Sequence, residues 1–584
     1  MSPIELYTKE ERKVNGVFYT PSFLAEYLAK KVIKYFGNRK ITNAIDPACG
    51  DSILLQYFAN ELLNISYQNL PKIFGVDKDI NAIVSSTSKF TDKSLKMFFS
   101  TFKHTDGLFP INRKNSIEGW AELRKALKIK NGFDVALSNP PWGSELNGYN
   151  SITLNFNFAL AKGQFDIFDL FVEVILNNLN NNGVYGLILP DSVFSQEQAR
   201  FRCLLTENTT VHLIARLGEK IFPEINRACV IIVGSMAEAK SNHQVDCFRL
   251  TSNFKKQIIA NKLSLEDVEK ELMHKVPQNR FLKNDNCIFN IDLKTDEQKT
   301  FDKIQNNSLP FKQIVDNTRG AEISKKGVVC QCPNCKQWMP YPKSRQPKCN
   351  NCSTALNLNS IVKEKIIHNH NGVGNIKLKV GEDLYRFTSV SKSWINILKE
   401  GINYKDLSIY SGNKILVRKT GVGITASMDY ENTITNQVVY ILKLKTAFEK
   451  KLSLEFVLAI LNSRAMTYYL IKKFGENEWK SHPYLTQTML INLPFPKIDF
   501  SSYDTQMLIN CITEILRKEV SHSRAKNIDK ANDLLIERVV AHFFKLNQAD
   551  YKSIFESLSS SEQLIPIKRL MNCNAEEIFT VNGL

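Results

Sequence analysis

At 584 residues the chain is too long for one ordinary hydrophobic core, since domains usually contain roughly 100 to 200 residues. Hydrophobic residues make up 43% of it and charged residues 23%, a balance that excludes wholesale disorder, a collagen-like fibre and a low-complexity polymer. No stretch approaches the roughly 18 to 20 apolar residues that span a bilayer, and the charged segment from Met1 to Asn15 is unlike a secretory signal. We therefore expect a cytoplasmic, enzyme-sized protein without a membrane partner.

The net charge and the cysteine distribution indicate the class of binding partner and the redox state of the cysteines. The net charge of +17, from 76 basic and 59 acidic residues, favours a polyanionic partner, although a Lys-rich codon bias produces the same excess. Five of the 12 cysteines fall within 330–352, and the others are scattered along the chain. This distribution indicates metal ligands and core thiols rather than a disulfide framework.

The stretch from Ile41 to Ser235 alternates short apolar runs with helical patterns. Runs without polar alternation indicate strands that are buried on both faces, and the helical stretches have apolar residues at three- and four-residue spacing. The pattern predicts a doubly wound α/β domain. The predicted strands are 43–46, 73–77, 134–138, 184–189, 212–216 and 228–233, and the predicted helices are 53–63, 168–179 and 196–205.

The second half of the chain has a different pattern. From about Ser241 the alternation stops, and loops, the cysteine cluster and isolated strands at 414–417 and 437–442 follow. Two segments beyond Pro496 are periodic at 3.6 residues, 505–519 and 529–545. These features predict a mixed α+β domain with a helical C-terminal segment.

Acidic residues follow two of the predicted strands. Asp46 opens the turn Asp46-Pro-Ala-Cys-Gly50, which leads into a helix, and Asp77 ends the next strand. Nucleotide-like ligands bind outside the carboxyl ends of the strands in α/β sheets, where an acid accepts from an ammonium group or holds a ribose diol. Gly50 permits close backbone approach. An ordinary βα turn shows the same residues, so this pattern alone leaves both interpretations open.

A more specific motif, Asn139-Pro-Pro-Trp142, follows a later strand. Its two prolines fix an extended turn and remove two backbone donors, which leaves carbonyl oxygens free. The Asn139 amide oxygen and the Pro140 carbonyl can then accept both hydrogens of an exocyclic amine. Trp142 offers a flat face on which a planar base can stack.

On these motifs the chain resembles the gamma-class DNA adenine-N6 methyltransferases, which use S-adenosylmethionine. Gly16-Val-Phe-Tyr-Thr-Pro21 is similar to the family segment that closes over the methionine moiety, and Asn139 to Trp142 to its catalytic tetrapeptide. The resemblance implies catalysis by Asn139, Pro140, Pro141 and Trp142, and stacking of the target base by Trp142 and Phe222. It implies cofactor contacts from Tyr19, Thr20, Asp46, Ala48, Gly50, Asp77, Asp106 and Asn139.

The resemblance extends over nearly the whole chain, with two departures. It continues in the segments 163–171, 217–223, 421–424, 435–438, 458–463 and 493–496. It therefore implies a Rossmann-like methyltransferase domain followed by a target-recognition domain. The family commonly has a second glycine where Ser52 stands, which puts cofactor approach there in question, and Trp142 replaces the more usual Tyr or Phe.

The implied reaction is direct methyl transfer to N6 of an adenine in duplex DNA. Hydrogen bonds to Asn139 and to the Pro140 carbonyl favour a pyramidal, reactive nitrogen in line with the sulfonium methyl. The target base has to be flipped out of the duplex, and stacking on Trp142 and Phe222 offsets part of the few kcal/mol of unstacking. Alternatives are an RNA or protein-glutamine methyltransferase and a noncatalytic DNA-specificity subunit. The long recognition-like half favours DNA, and the intact tetrapeptide favours catalysis.

Two CxxC pairs, Cys332/Cys335 and Cys349/Cys352, flank 13 residues in the second half. This spacing is typical of a structural zinc site with four thiolates and no open position. The intervening loop has basic and aromatic residues and no acid, which suits either phosphate contact or plain solvent exposure. Its candidate DNA contacts are Lys336, Lys343, Arg345 and Lys348.

We place the methyltransferase domain at 1–240, a linker and the start of the recognition half at 241–308, the target-recognition domain at 309–500 with a zinc ribbon at 330–353, and a helical segment at 501–584. We expect a monomer that binds double-stranded DNA as the modification component of a restriction or phage-defence system. The sequence shows no convincing nuclease site, so a separate restriction endonuclease is expected to supply any cleavage. The recognition sequence, and whether one or both strands are methylated, do not follow from these residues.

Overall fold

The structure is a computed structural model that describes residues 20–112, 114–143, 146, 148–222, 227–324, 326–342, 344, 346–475, 484–522, 528–559 and 564–581. The chain separates into two compact units, Met1–Thr295 and Asp296–Leu584, which we call the N-terminal and C-terminal units. The domain boundaries at 240, 308 and 500 stay predictions. No described helix is long and apolar enough to cross a membrane.

The N-terminal unit is built on a sheet of nine strands within the described residues, in the order β3-β2-β1-β4-β5-β7-β6-β8-β9. The first five strands of that order are parallel, and β7 is antiparallel to both of its neighbours. This confirms the predicted α/β fold with a large parallel sheet. The strands are β1 (Asn43–Asp46), β2 (Lys72–Asp77), β3 (Ser100–His104), β4 (Phe133–Ser138), β5 (Leu179–Pro190), β6 (Thr210–Gly218), β7 (Cys229–Ser235), β8 (Gln244–Arg249) and β9 (His274–Pro277).

Helices connect these strands and share a continuous apolar core with them. Leu24, Leu28 and Val32, spaced four residues apart on the first helix, are fully buried and show its core-facing stripe. The helices are α1 (Ser22–Phe36), α2 (Ile53–Asn64), α3 (Ile80–Thr91), α4 (Ser116–Ala126), α5 (Ser151–Asn157), α6 (Ile167–Asn178), α7 (Ala199–Asn208), α8 (Ser252–Ile259), α9 (Leu265–Leu272) and α10 (Gln278–Lys283).

One cysteine pair differs from the expected scatter of core thiols. Cys203 on α7 and Cys287 form a disulfide, although 84 residues separate them in sequence. The buried Arg202 side chain donates to the carbonyl oxygens of Asn286 and Cys287, which holds the 286–287 turn against α7. Folding therefore brings together two cysteines whose spacing gave no sign of a pair.

The C-terminal unit combines small sheets with helices, as predicted for a mixed α+β region. Its helices are α11 (Gln298–Asn306), α12 (Leu454–Leu461), α13 (Arg464–Phe474), α14 (Gln487–Ile491), α15 (Tyr503–His522), α16 (Lys530–Phe544), α17 (Gln548–Ser559), α18 (Ile565–Leu570) and α19 (Ala575–Thr580). Its strands are β10 (Ser308–Pro310), β11 (Val315–Arg319), β12 (Val328–Gln331), β13 (Trp338–Pro340), β14 (Lys363–Lys365), β15 (Ile367–His368), β16 (Asn375–Lys379), β17 (Ser393–Asn396), β18 (Lys414–Arg418), β19 (Ala426–Asp429), β20 (Ile434–Thr435), β21 (Val439–Leu444) and β22 (Pro494–Pro496).

Two four-stranded sheets form the centre of this unit, β11-β21-β18-β19 and β15-β17-β16-β20. The C-terminal helices are tied to the rest of the unit by buried ion pairs: Arg386 and Arg464 both contact Asp533 and Glu537 of α16. The helical C-terminal segment is thus part of the packed unit and not an appended tail.

Candidate active site

Four parallel strands bring the predicted site residues to one edge of the sheet. β1 ends at Asp46, β2 ends at Asp77, and Asp106 lies two residues after β3. Asn139 directly follows β4. Because β3, β2, β1 and β4 are neighbours and run parallel, their carboxyl ends share an edge. This is the position at which α/β sheets bind ligands.

Asp46 is 2% exposed at this edge. Its Oδ1 accepts from the Ala48 amide at 3.0 Å and from the Ser138 hydroxyl at 2.8 Å. Burial, opposed by these two hydrogen bonds and reinforced by the Asp77 charge, raises the pKa of Asp46 to about 7. Both of these hydrogen bonds use Oδ1, which leaves Oδ2 to accept from a ligand.

Asp77 fixes the turn that follows β1. Its Oδ2 accepts from the Gly50 amide at 2.8 Å, and its Oδ1 accepts from the Asp79 amide at 2.9 Å. Burial raises the pKa of Asp77 above its ordinary value. Gly50 and Ser52 both have positive φ, of 50° and 63°, and Ser52 precedes the first residue of α2. The backbone therefore takes at Ser52 the left-handed conformation that favours glycine.

Asp106 connects the loop after β3 to a residue that the sequence analysis did not name. Its Oδ1 accepts from the Leu108 amide at 2.7 Å, and its Oδ2 accepts from the Tyr149 hydroxyl at 2.7 Å. Gly107 lies so close to the first turn that a Cβ there would stand 2.1 Å from the Pro47 carbonyl oxygen. The loop after β3 and the turn after β1 are thus in direct contact.

The Asn139 carboxamide has a defined partner. Its Nδ2 donates to the Thr20 hydroxyl at 3.0 Å, and Thr20 is 6% exposed. With the amide group so engaged, the Oδ1 atom is oriented to accept. Tyr19 and the start of the 16–21 segment lie outside the described residues, so the predicted cofactor contact of Tyr19 stays a prediction.

Trp142 is buried against the second predicted aromatic residue. The rings of Trp142 and Phe222 meet edge to face, with centroids 5.2 Å apart and planes at 84°, and each side chain is 3% exposed. The Trp142 indole Nε1 is buried and has no hydrogen-bond partner. The structure therefore brings together the two predicted stacking residues. Their rings contact each other and leave no gap between them.

Further polar groups hold the tetrapeptide in place. The Gly143 amide donates to both carboxylate oxygens of Asp166, at 2.8 and 3.0 Å, and Arg227 donates to the Trp142 carbonyl at 3.3 Å. Asp166 also caps α6, in a reciprocal arrangement with Asp169. Burial raises the pKa of Asp169 to about 7. Asp166 and Asp169 fall within the 163–171 segment of the resemblance, which was the available signal for their positioning role.

The four predicted metal ligands lie together in the C-terminal unit, at one end of the three-stranded sheet β13-β12-β14. We call these strands and the four cysteines the cysteine ribbon. The Sγ atoms of Cys332 and Cys352 are 3.7 Å apart, those of Cys335 and Cys349 are 3.6 Å apart, and all four lie within 4.8 Å of one another. A tetrahedral ion with Zn–S distances of about 2.3 Å requires sulfur separations of about 3.8 Å.

The candidate DNA contacts of the ribbon are partly described. Lys336 and Lys348 are both exposed. Lys363 and Lys399 lie over the rings of Tyr341 and Trp338, at 4.9 and 4.4 Å from the ring centroids. Lys343 and Arg345 lie outside the described residues. The ribbon thus presents cations and aromatic rings together, as its composition indicated.

Residues 3–308, more than half of the chain, match the family described as N-6 DNA Methylase. The chain belongs to that family. Residues 377–495 match the family described as TaqI-like C-terminal specificity domain. The protein is therefore an adenine-specific DNA methyltransferase that uses S-adenosylmethionine and carries its own specificity domain. The 330–353 segment lies outside both matches.

Two curated relatives and one solved structure are similar to the methylase. Type II methyltransferase M.HindII of Haemophilus influenzae is 24% identical over 568 residues, which cover 90% of this chain and 97% of that protein. Type II methyltransferase M.VspI of a Vibrio species is 25% identical over 195 residues, which cover 33% of this chain and 41% of that protein. The structure of the Type IIL restriction-modification enzyme MmeI in complex with DNA supports the fold, with 12% identity and a TM-score of 0.59. The match covers 96% of this chain and 81% of the MmeI chain.

Proposed function

We propose that this methylase transfers the methyl group of S-adenosylmethionine to N6 of a flipped-out adenine at a specific site in duplex DNA. The observation that carries the proposal is the Asn139 carboxamide, placed at the carboxyl edge of the sheet beside Asp46, Asp77 and Asp106. Its Nδ2 is held by Thr20, so its oxygen is presented to an acceptor amine. Direct transfer to the acceptor nitrogen requires no covalent enzyme intermediate.

The cofactor would be held by the acidic residues of this edge. The protein contacts of Asp46 use Oδ1, so its Oδ2 atom suits the cofactor ammonium. Asp77 and Asp106 suit hydroxyl and amine donors of the nucleoside. Bound there, S-adenosylmethionine supplies an electrophilic methyl group on its sulfonium. The residues present therefore fit the cofactor.

The remaining groups would orient the acceptor nitrogen. The Asn139 oxygen and the Pro140 carbonyl would accept the two N6 hydrogens, which removes the nitrogen lone pair from conjugation with the ring. Asp166, through Gly143, and Arg227, through the Trp142 carbonyl, keep the tetrapeptide from shifting. On transfer of the methyl group the acceptor nitrogen would lose one of its two protons to solvent, and S-adenosylhomocysteine would be the leaving group. Positioning of this kind supplies rate without an acidic or basic side chain at N6.

The test is to incubate the purified protein with S-adenosylmethionine and DNA from a host that lacks adenine methylation, and then to digest the DNA and identify its nucleosides by mass spectrometry. We expect N6-methyladenine, confined on sequencing to one short motif, and none with an Asn139→Ala variant. Methylation of RNA or of a protein glutamine in place of DNA would overturn the assignment, as would cofactor binding without transfer to any acceptor.

We further propose that the cysteine ribbon binds one structural zinc ion through Cys332, Cys335, Cys349 and Cys352. The support is the fit of the sulfur separations, 3.6 and 3.7 Å, to a tetrahedral tetrathiolate site. Four thiolates leave no open position for a water or a substrate. The metal would therefore order the ribbon and take no part in methyl transfer.

We also propose that the methylase works as a monomeric modification component with a separate endonuclease. Two curated relatives carry the name Type II methyltransferase, and the similar MmeI structure is of a restriction-modification enzyme. Co-purification of the tagged methylase from its native host, with sedimentation of the pure protein, tests both parts. A stable dimer, or cleavage by the methylase alone, would overturn the corresponding part.

A further inference from the structure

Most buried cations of the C-terminal unit are neutralised by carboxylates of the same unit. A buried charge without a counter-charge is costly, so this pairing is expected. The pairs are Lys379 and Lys414 with Asp429, Arg386 and Arg464 with Asp533 and Glu537, Lys472 with Glu297, and Lys303 with Asp550.

Half-buried cations of the unit are not all paired in this way, and three that are not lie at the same end of the β11-β21-β18-β19 sheet. Arg319, Arg418 and Lys419 form no ion pair with any carboxylate of the described residues. Arg319 donates through Nε to the Gln437 carbonyl at 2.8 Å, which uses a neutral acceptor, and Arg418 has a buried Nε without any partner. Among the described residues, the positive charge at this end of the sheet therefore has no carboxylate paired with it.

Strand register brings the three residues together. Arg319, at the end of β11, pairs with Tyr440 of β21, and Tyr440 pairs with Val417 of β18, immediately before Arg418 and Lys419. Burial and the Arg319 charge lower the pKa of Lys419, as expected for two cations in the same region of the sheet. We call Arg319, Arg418, Lys419 and the following turn, 420–423, the cationic corner.

An exposed aromatic ring lies beside the cationic corner, and its turn contains two glycines with positive φ. Lys419 lies 5.8 Å from the ring centroid of Tyr484, whose side chain is 45% exposed. The turn contains Gly421 and Gly423, with φ of 117° and 71°, and a Cβ at Gly421 would have no neighbour closer than Arg418 Nε at 3.9 Å. The backbone here is therefore open to a ligand.

We infer that the cationic corner is a contact of the specificity domain with the sugar–phosphate backbone of DNA. The inference rests on the proposed function, because it assumes that this unit binds duplex DNA. Half-buried cations without a paired acid suit phosphate oxygens, and the exposed Tyr484 ring and the backbone at Gly421 leave room for a DNA strand to approach. The contact lies in a different part of the unit from the cysteine ribbon and would act independently of zinc.

Salt-dependent DNA binding tests this contact. Fluorescence anisotropy of a labelled random-sequence 30-bp duplex would be followed from 50 to 300 mM KCl for the wild type and an Arg319→Gln/Lys419→Gln variant. The matched control is Lys377→Gln/Lys530→Gln, which removes the same charge from two exposed lysines of this unit that already pair with Glu431 and Glu577. Binding of S-adenosylmethionine by each protein would be measured alongside.

We expect the test variant to lose about tenfold or more in affinity at 0.1 M salt, and its slope of log Kd against log salt to fall by roughly two. The control should keep the wild-type slope, and all three proteins should bind the cofactor equally. If the double variant misfolds, Lys419→Gln alone should lower the slope by roughly one. Equal slopes for test and control would overturn the contact but leave the proposed function intact, whereas a wild type that binds no duplex would overturn both.

Discussion

Trp142 and Phe222 pack against each other, with ring centroids 5.2 Å apart and planes at 84°. Neither ring offers an open face, since both side chains are 3% exposed. If the target adenine stacks on Trp142 as proposed, one of these rings has to move to admit it. We therefore expect the aromatic pair to be a closed site that opens for the base, and not a preformed slot.

Substitution of Trp142 should show whether its ring serves to stack the target base. We expect Trp142→Phe to be tolerated, since Phe keeps a stacking face, and Trp142→Ala to weaken capture of the extruded base by on the order of 1 to 3 kcal/mol. Fluorescence of 2-aminopurine at the target position measures extrusion. Normal extrusion by Trp142→Ala would contradict a stacking role.

Asn139→Ala should abolish methyl transfer and leave cofactor binding largely intact, because we place the Asn139 oxygen on the acceptor amine. Single-turnover methylation of a duplex, together with calorimetric titration of S-adenosylmethionine, measures both. A variant that keeps more than about a tenth of the rate constant, a loss below roughly 1.4 kcal/mol, would rule out the proposed role.

Thr20 should act through Asn139 and not on the substrate directly. Removal of its hydroxyl in Thr20→Val frees Asn139 Nδ2, and a hydrogen bond worth roughly 0.5 to 1.5 kcal/mol predicts a two- to tenfold lower rate constant with little change in KM. Thr20→Ser keeps the hydroxyl and should restore the rate. If Thr20→Ser is as slow as Thr20→Val, the hydrogen bond is not what matters.

The raised pKa of Asp46 predicts pH-dependent cofactor binding. The ionised carboxylate accepts from the cofactor ammonium, and burial raises the pKa to about 7, so affinity for S-adenosylmethionine should increase from pH 5.5 through pH 7 and level off above about pH 8. In the ligand-free protein the same shift stabilises the fold at low pH, an effect lost as pH rises through 7. Asp46→Asn should bind weakly and without this pH dependence; a parallel rise in the variant would assign the titration to another group.

The cysteine ribbon should contain one zinc ion per chain, measurable by elemental analysis of protein purified without chelator. Replacing Cys349 and Cys352 by Ser opens the tetrathiolate site, and we expect lower DNA affinity or selectivity while S-adenosylmethionine binding survives. Well under one zinc per chain would remove the basis of this prediction. Metal in the wild type with normal methylation by the double variant would show that the zinc only supports the fold.

Most strands of the N-terminal unit could be predicted because they are buried on both faces. The apolar run at 43–46 matches β1 residue for residue, and the runs at 73–77 and 134–138 fall short of β2 and β4 by one residue each. β3, Ser100–His104, gave no such signal because it is an edge strand whose residues are half-buried or exposed. Its position nevertheless decides where Asp106 lies.

The site residues that a sequence motif places at the end of a strand could be predicted. The side-chain contacts between distant parts of the chain could not. Asp46, Asp77 and Asn139 each stand directly at the end of a strand, so parallel pairing alone brings them together. Tyr149, which donates to Asp106, and Arg227, which donates to the Trp142 carbonyl, come from loops far along the chain. Their side chains carry no local pattern that indicates these partners.

The segment that joins β12 to β14 in the cysteine ribbon starts and ends at neighbouring positions. Cys330 of β12 stands opposite Lys363 of β14, and the Gln331 amide donates to the Val362 carbonyl at 3.1 Å, so the two ends of the intervening segment are neighbours in an antiparallel pair. A short turn could join those ends without rerouting the chain. We therefore expect that the segment can be removed or replaced without disturbing the rest of the unit, and hybrid methylases made by swapping it would show whether the choice of DNA site depends on it.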